Sequence, residues 1–389
     1  MEQFDFSKGA DRRGTYSTQW DYIADRFGRD DLLPFTISDM DFEVAPSIKA
    51  ALQQRVGHGV FGYSRWNHAD FKGAVSGWFK KRFNAVVNEE AIAYSPSIIY
   101  SLSRLIEYYS EKGDGVIMQL PAYDAFFTTV NGLERRVMGN RLIYDAEGTA
   151  QIDFDELEEL AKTAKVLLIC NPHNPTGRVW SRDELARMMA VAVKYKLAVI
   201  SDDAHMDIIY APYRYTPITE VWGSYKKAAL ITSTAKGFNT ASLGGSYIIF
   251  NDAVDREFFM ADLKVRGLSS APILGIIAVI AAYTTAGAWL DAFNKAMYAN
   301  LEFTRDYLRA HLPSVSMAKP QGTYFAWLNA GALGLNAAEM QRRLIEKGRV
   351  AIMDGSVYRQ DNPLYLRLNV ACPHSKLEDG LRRLVLSLK

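Results

Sequence analysis

Three stretches of the chain place reactive side chains directly after an apolar run. In "LAVISDDAHMD", Leu197 to Asp207, the carboxylates Asp202 and Asp203 are followed by His205. In "ALITSTAKGFN", Lys236 lies between the small residues Ala235 and Gly237. In "VLLICNPHNPTGRVW", two asparagines, two prolines and a glycine leave the run through a polar turn, Asn171 to Gly177. A lysine beside a buried strand loses hydration, which lowers the pKa of its amine and favours imine formation. A buried carboxylate nearby can pair with a cationic ligand.

Such residues need elements to hold them. "GVIMQL", "VLLIC", "LAVISD", "AALITS" and "GSYIIF" have strand length and little polar alternation, as expected of strands buried on both faces of a mostly parallel sheet. Between them, Ser181 with Glu184 forms a capping box that opens an amphipathic helix, and Asp153 with Glu156 repeats the signal. "APILGIIAVIAA", Ala271 to Ala282, is too short to span a bilayer and reads as a buried helix. Beyond it come "YFAWLN", a helix near Ala337 to Lys347, "VAIMDG", "YLRLNVA" and a last helix capped by Ser375 with Glu378. The fold class is therefore α/β, with a large domain over roughly 46–287 and a smaller α+β unit from 1–45 and 288–389.

Composition narrows the function. A net charge of +1 with both signs interspersed gives no electrostatic reason to bind nucleic acid or an anionic membrane. "MEQFDFSKGADRRG" lacks the apolar segment of a secretory signal, and two cysteines in apolar runs make no disulfide framework, so a cytoplasmic location is expected. The six histidines have no metal-ligand spacing, and no nucleophile elbow, P-loop or Gly-rich dinucleotide turn occurs. No metal is expected.

In open α/β sheets ligands bind outside the carboxyl ends of the strands. "NPHNPTG", Asp202 28 residues beyond Asn174, and "S-T-A-K" at Ser233 to Lys236 together resemble the active site of fold-type I pyridoxal 5′-phosphate enzymes, the aspartate aminotransferase superfamily. "DRRGTYSTQWD", "LLPFTISDMDF", "HGVFGYSRW", "PAYDAF", "GLSSAPILG" and "RLNVACPHSKLE" extend the likeness over the whole chain, to the MalY/PatB-type cystathionine β-lyase branch.

That resemblance implies a role for each residue. Lys236 would hold the cofactor's aldehyde carbon and later carry the substrate's Cα proton. Asp202 would pair with the pyridine nitrogen, Asn174 would donate to the ring oxygen, Tyr123 would stack on the ring, and His205 would contact the ring oxygen or make a structural hydrogen bond. The helix N-terminus at Ser97, Ile98 and Ile99, with Ser233, would bind the phosphate. Tyr63 would reach the phosphate and substrate of a second subunit, implying a homodimer. Arg367, with Asp39, would face the substrate; its planar guanidinium suits an α-carboxylate, and pairing with a structural acid is the other reading.

The implied activity is a C–S β-lyase that cleaves cystathionine, cystine and similar S-substituted cysteines to a thiol, pyruvate and ammonia. An aminotransferase, or a mainly regulatory protein-binding role, is the alternative. A protein partner, the maltose-regulon activator MalT, is implied as well. Two departures stand out: no arginine follows Lys236 closely, so phosphate binding leans on backbone and hydroxyls, and Asp203-Ala204 replaces the branch's Glu-Ile, which alters the packing behind Asp202.

Overall fold

A computed structural model describes residues 4–359 and 364–389. The first three residues of the N-terminal stretch and positions 360–363 of the C-terminal unit lie outside the described residues.

The strand-like runs form the sheet they suggest. Gly115–Leu120 and Ala228–Ser233 coincide with their runs, while Ala164–Cys170, Ala198–Asp202 and Ser246–Phe250 differ by a residue or two at one end. Nearly every residue in them is buried, which explains the missing polar alternation. With Ile92–Ser95, Arg136–Tyr144 and Ala150–Ile152 they make one eight-stranded sheet. Its five central strands, from Ala228–Ser233 across to Arg136–Tyr144, are parallel, and the flanking strands pair antiparallel. The register Cys170↔Asp202↔Ile231 brings the carboxyl ends of three strands side by side.

Helices cover the sheet. Ser181 caps Arg182–Tyr195 with both bonds of the capping box. Asp153 caps Phe154–Ala161 by accepting from the Asp155 and Glu156 N–H groups, but the second half of that box is absent. The Glu156 carboxylate turns instead to Asn140 Nδ2 and the Arg141 N–H on the neighbouring strand. Ile273–Thr285 is the buried apolar helix, and no single helix among the described residues is long and apolar enough to cross a membrane.

A second, four-stranded antiparallel sheet holds Phe325–Asn329 against Tyr365–Asn369. The helix expected near Ala337 to Lys347 runs as Ala337–Arg343 and widens into a π-helical turn, Leu344–Gly348. The last helix corrects an expectation: it spans His374–Leu388 behind Pro373, with no side-chain cap. Ser375 falls inside its first turn, because Pro373 takes the N-cap place and the helix already begins at His374.

The N-terminal segment joins both parts. Leu33–Pro34 pairs parallel with Val350–Ala351 and Phe6 packs its ring edge against Trp289 and Phe293, while Asn239 of the large part donates to Met40 O and Phe42 O. The main core runs from Phe35 to Leu388, with two smaller buried clusters around Trp327 and Ile23. Each fully buried Leu, Ile, Val or Phe in it contributes about 1.5–3 kcal/mol.

Candidate active site

At the carboxyl edge of the central strands lies a cavity lined by nine of the expected site residues: Ser97, Ile98, Ile99, Tyr123 and Asn174 on one side, Asp202, His205, Ser233 and Lys236 on the other. Each arrives by a different strand end. Ile92–Ser95 leads into the helix Ile98–Tyr109, whose N-cap hydroxyl, Ser97, accepts from Tyr100 N–H. That leaves the Ile98 and Ile99 N–H groups at the cavity rim, where a helix N-terminus favours an anion. Gly115–Leu120 leads to Tyr123, Ala164–Cys170 to Asn174, Ala198–Asp202 to His205 and Ala228–Ser233 to Lys236. Lys236 comes close to the Asp202 loop because Gly237 follows it: a Cβ there would lie 2.9 Å from Asp207 Cβ.

Asp202 is 4% exposed and accepts one backbone bond, from Ala204 N–H at 3.1 Å. Burial pushes its carboxyl up to about 7, opposed by that bond and by Lys236. A cationic partner would restore the ionised form. Lys236 Nζ donates to the Ser38 carbonyl at 2.9 Å and makes no carboxylate ion pair among the described residues. Burial lowers the amine's pKa; Arg367 adds to this, and Asp39 and Asp202 oppose it.

His205 is buried with Nδ1 unpartnered among the described residues, so no structural hydrogen bond holds that nitrogen. Burial first, then Lys236 and Arg367, keep the ring neutral. Arg367 is 4% exposed on Tyr365–Asn369 and donates to Asn174 Oδ1 at 2.9 Å and Thr36 O at 2.8 Å. Its guanidinium lies over the Phe325 ring, 4.1 Å from the centroid, and Nε has no partner among the described residues. The reading that paired Arg367 with a structural acid finds no such acid among the described residues. By holding the Asn174 carbonyl, Arg367 leaves the amide nitrogen as the end free to donate into the cavity.

Three expected residues do not line the cavity: Arg367, which reaches it through Asn174, and Asp39 and Tyr63. Asp39 makes a bidentate pair with Arg12 at 2.6 and 2.9 Å, so its carboxylate is engaged by the N-terminal segment. Tyr63 is fully exposed, beside exposed Val60 and Phe61. The cavity also has walls that were not singled out from sequence, among them Ser38, Cys170 and Ser246. Small residues of this kind leave no chemical signature to search for.

Asp203 turns away from the cavity. Ser201 Oγ donates to Oδ1 at 2.5 Å, Tyr215 OH donates to Oδ2, and the residue is wholly buried. The shorter side chain is therefore satisfied, and the packing questioned at Asp203-Ala204 closes through Tyr215. Burial pushes this carboxyl up to about 8, against the two hydroxyl bonds. The native state thus keeps a proton that the unfolded chain, with an ordinary pKa of 3.8, has lost. Stability from this group is full below about pH 4 and falls as pH rises towards about 8. Asp203→Asn is expected to flatten that fall, by up to about 1.4 kcal/mol per pH unit between the two values. Urea unfolding of both proteins over this window measures it; parallel profiles would refute it.

A mostly parallel sheet carrying a lysine, an aspartate and a helix N-terminus at one edge defines a fold-type I α/β transferase architecture. The chain belongs to the aminotransferase class I and II family, whose model matches residues 30–384. It is 43% identical to Protein MalY of Escherichia coli (strain K12), over 99% of both chains. It is 35% identical to cystathionine beta-lyase PatB of Bacillus subtilis (strain 168), over 98% of this chain and 99% of that one. Among solved structures, a PLP-bound putative aminotransferase from Clostridium difficile 630 superposes with a TM-score of 0.96 at 30% identity, covering 100% of both chains.

Proposed function

We propose that the protein is a pyridoxal 5′-phosphate-dependent C–S β-lyase that converts cystathionine, cystine or similar S-substituted cysteines to a thiol, pyruvate and ammonia. The observation that carries this reading is the convergence of a buried amine without an ion pair, a buried carboxylate and a buried guanidinium with a spare donor, in a chain end-to-end similar to a cystathionine β-lyase.

The donor set fits the cofactor. Asp202 has one protein bond and room for a cationic ring nitrogen; Asn174 Nδ2 and the orphaned His205 ring suit a ring oxygen. Ile98 and Ile99 N–H with the Ser97 and Ser233 region suit the phosphate, and Tyr123 suits the ring face. Bound there, the cofactor supplies an electron sink for the substrate's Cα electrons. Lys236 would hold it, and its free amine would take the Cα proton; as an ammonium it would then donate to the departing thiolate, a role shared with a nearby tyrosine.

Arg367 binds the α-carboxylate with its free Nε edge. Arg367→Lys keeps the charge but loses the planar fork, so KM is expected to rise about 10- to 100-fold with a smaller change in kcat. Steady-state kinetics with cystathionine measure this, and an unchanged KM would remove Arg367 from carboxylate binding.

Incubating the holoenzyme with cystathionine and assaying thiol and pyruvate tests the activity itself. Amino-group transfer to a 2-oxo acid without pyruvate or thiol would instead make it an aminotransferase. We further propose division near residues 46 and 287, a cytoplasmic location, and a homodimer in which exposed Tyr63 completes the partner's phosphate and substrate site, with Asp39 at its edge. Mixing Tyr63→Ala with Lys236→Ala protein should then restore activity above either alone; no recovery after subunit exchange would count against it. The MalY likeness supports MalT as a regulatory partner. A pull-down with parent and Lys236→Ala protein tests that, and binding by neither removes it.

A further inference from the structure

Phe35 to Phe42 crosses the cavity without helix or strand, and side chains grip its carbonyl groups. Arg367 donates to Thr36 O at 2.8 Å. Asn369 Nδ2 donates to Ile37 O at 2.5 Å and Asp39 O at 2.7 Å. Asn239 Nδ2 donates to Met40 O at 3.2 Å and Phe42 O at 2.9 Å. In the middle, Ser38 O receives two donors at once: Lys236 Nζ at 2.9 Å and Tyr324 OH at 3.0 Å.

We infer that Tyr324 is a positioning residue for the Lys236 amine, acting through the Ser38 carbonyl oxygen it shares with that amine. The inference rests on the reading of Lys236 as the group that carries cofactor and proton. Tyr324 is fully buried, its ring 5.0 Å from Phe325, 5.8 Å from His205 and 6.3 Å from Phe293, and its own carbonyl accepts from Val370 N–H at 2.9 Å. The hydroxyl is held to one place. Burial raises its pKa, so it remains a donor.

Two donors on one oxygen draw on the same electron density, so each weakens the acceptor for the other. Tyr324 thereby fixes Ser38 O and makes it a poorer acceptor for an ammonium. The other charges acting on the amine are Asp39 and Asp202, which favour its charged form, and Arg367, which opposes it; His205 is neutral. Tyr324 shifts this balance towards a neutral amine held over the cavity.

The test uses apo-protein incubated with pyridoxal 5′-phosphate across a pH series, reduced with borohydride, with the Lys236 peptide quantified by mass spectrometry. Tyr324→Phe is expected to raise the midpoint for capture by about one pH unit, which is about tenfold slower capture below it. In the holoenzyme kcat should fall while KM stays near the parent value. Phe293→Leu, which loosens the same packing and leaves the hydroxyl, should keep the parent midpoint. Should Tyr324→Phe misfold, 3-fluorotyrosine at position 324 keeps the shape with a stronger donor and should lower the midpoint. Parent midpoints in both hydroxyl variants, or an equal shift in Phe293→Leu, overturn the inference. Undiminished capture by Lys236→Ala protein would overturn the reading of Lys236 instead.

Discussion

Lys236→Ala protein is expected to release thiol and pyruvate from cystathionine about 10⁴-fold more slowly than the parent. The size follows from the surroundings. Among the described residues no other lysine lines the cavity, and His205 is buried with Nδ1 unpartnered and a pKa well below its ordinary value, which makes it a weak base. A small primary amine such as methylamine, diffusing into the space left by the side chain, should recover part of the rate, and more at higher pH, where it is neutral. Stopped assays of pyruvate with and without the amine measure both effects. Retention of more than about a hundredth of the parent rate would take the proton-carrying role away from Lys236.

Asp202→Asn is expected to slow the same reaction about 10²- to 10³-fold. An amide has nearly the shape of the carboxylate and can still accept from Ala204 N–H, but it cannot neutralise a ring cation. Stability should move the other way. Burial, against the Ala204 bond and Lys236, holds the Asp202 carboxyl near 7, so its ionised form is costly without a ligand, and the neutral amide relieves that cost. Apo-Asp202→Asn protein is therefore expected to melt no lower than the parent above about pH 7. A catalytic loss with undiminished melting temperature separates a functional carboxylate from a structural one; loss of both would identify Asp202 as a core residue.

Much of the fold and site is legible in the sequence. The central strands announced themselves because burial on both faces removes polar alternation, and Ser181 with Glu184 announced a helix start because both bonds are local. Signals failed where a distant partner won. Glu156 left its box for Asn140 and Arg141, and Ser375 lost the cap place to Pro373. Nine of the expected site residues share one cavity because strand ends converge there. Asp39 shows the opposite case: its residue type suits a ligand contact, but Arg12, 27 positions earlier, engages it. Tyr324, Asn239 and Asn369 carried no signal, since their partners are backbone carbonyls, which look alike in every sequence.

The grip of Asn369 on Ile37 and Asp39 has a consequence for biosynthesis. It joins points 332 and 330 residues apart, nearly the full length of the chain. During synthesis the central sheet can pair long before residue 369 leaves the ribosome, yet the segment beside the lysine has no anchor from Arg367 or Asn369 until then. Nascent chains should thus acquire most of their secondary structure early and their competence to bind cofactor firmly only at the very end.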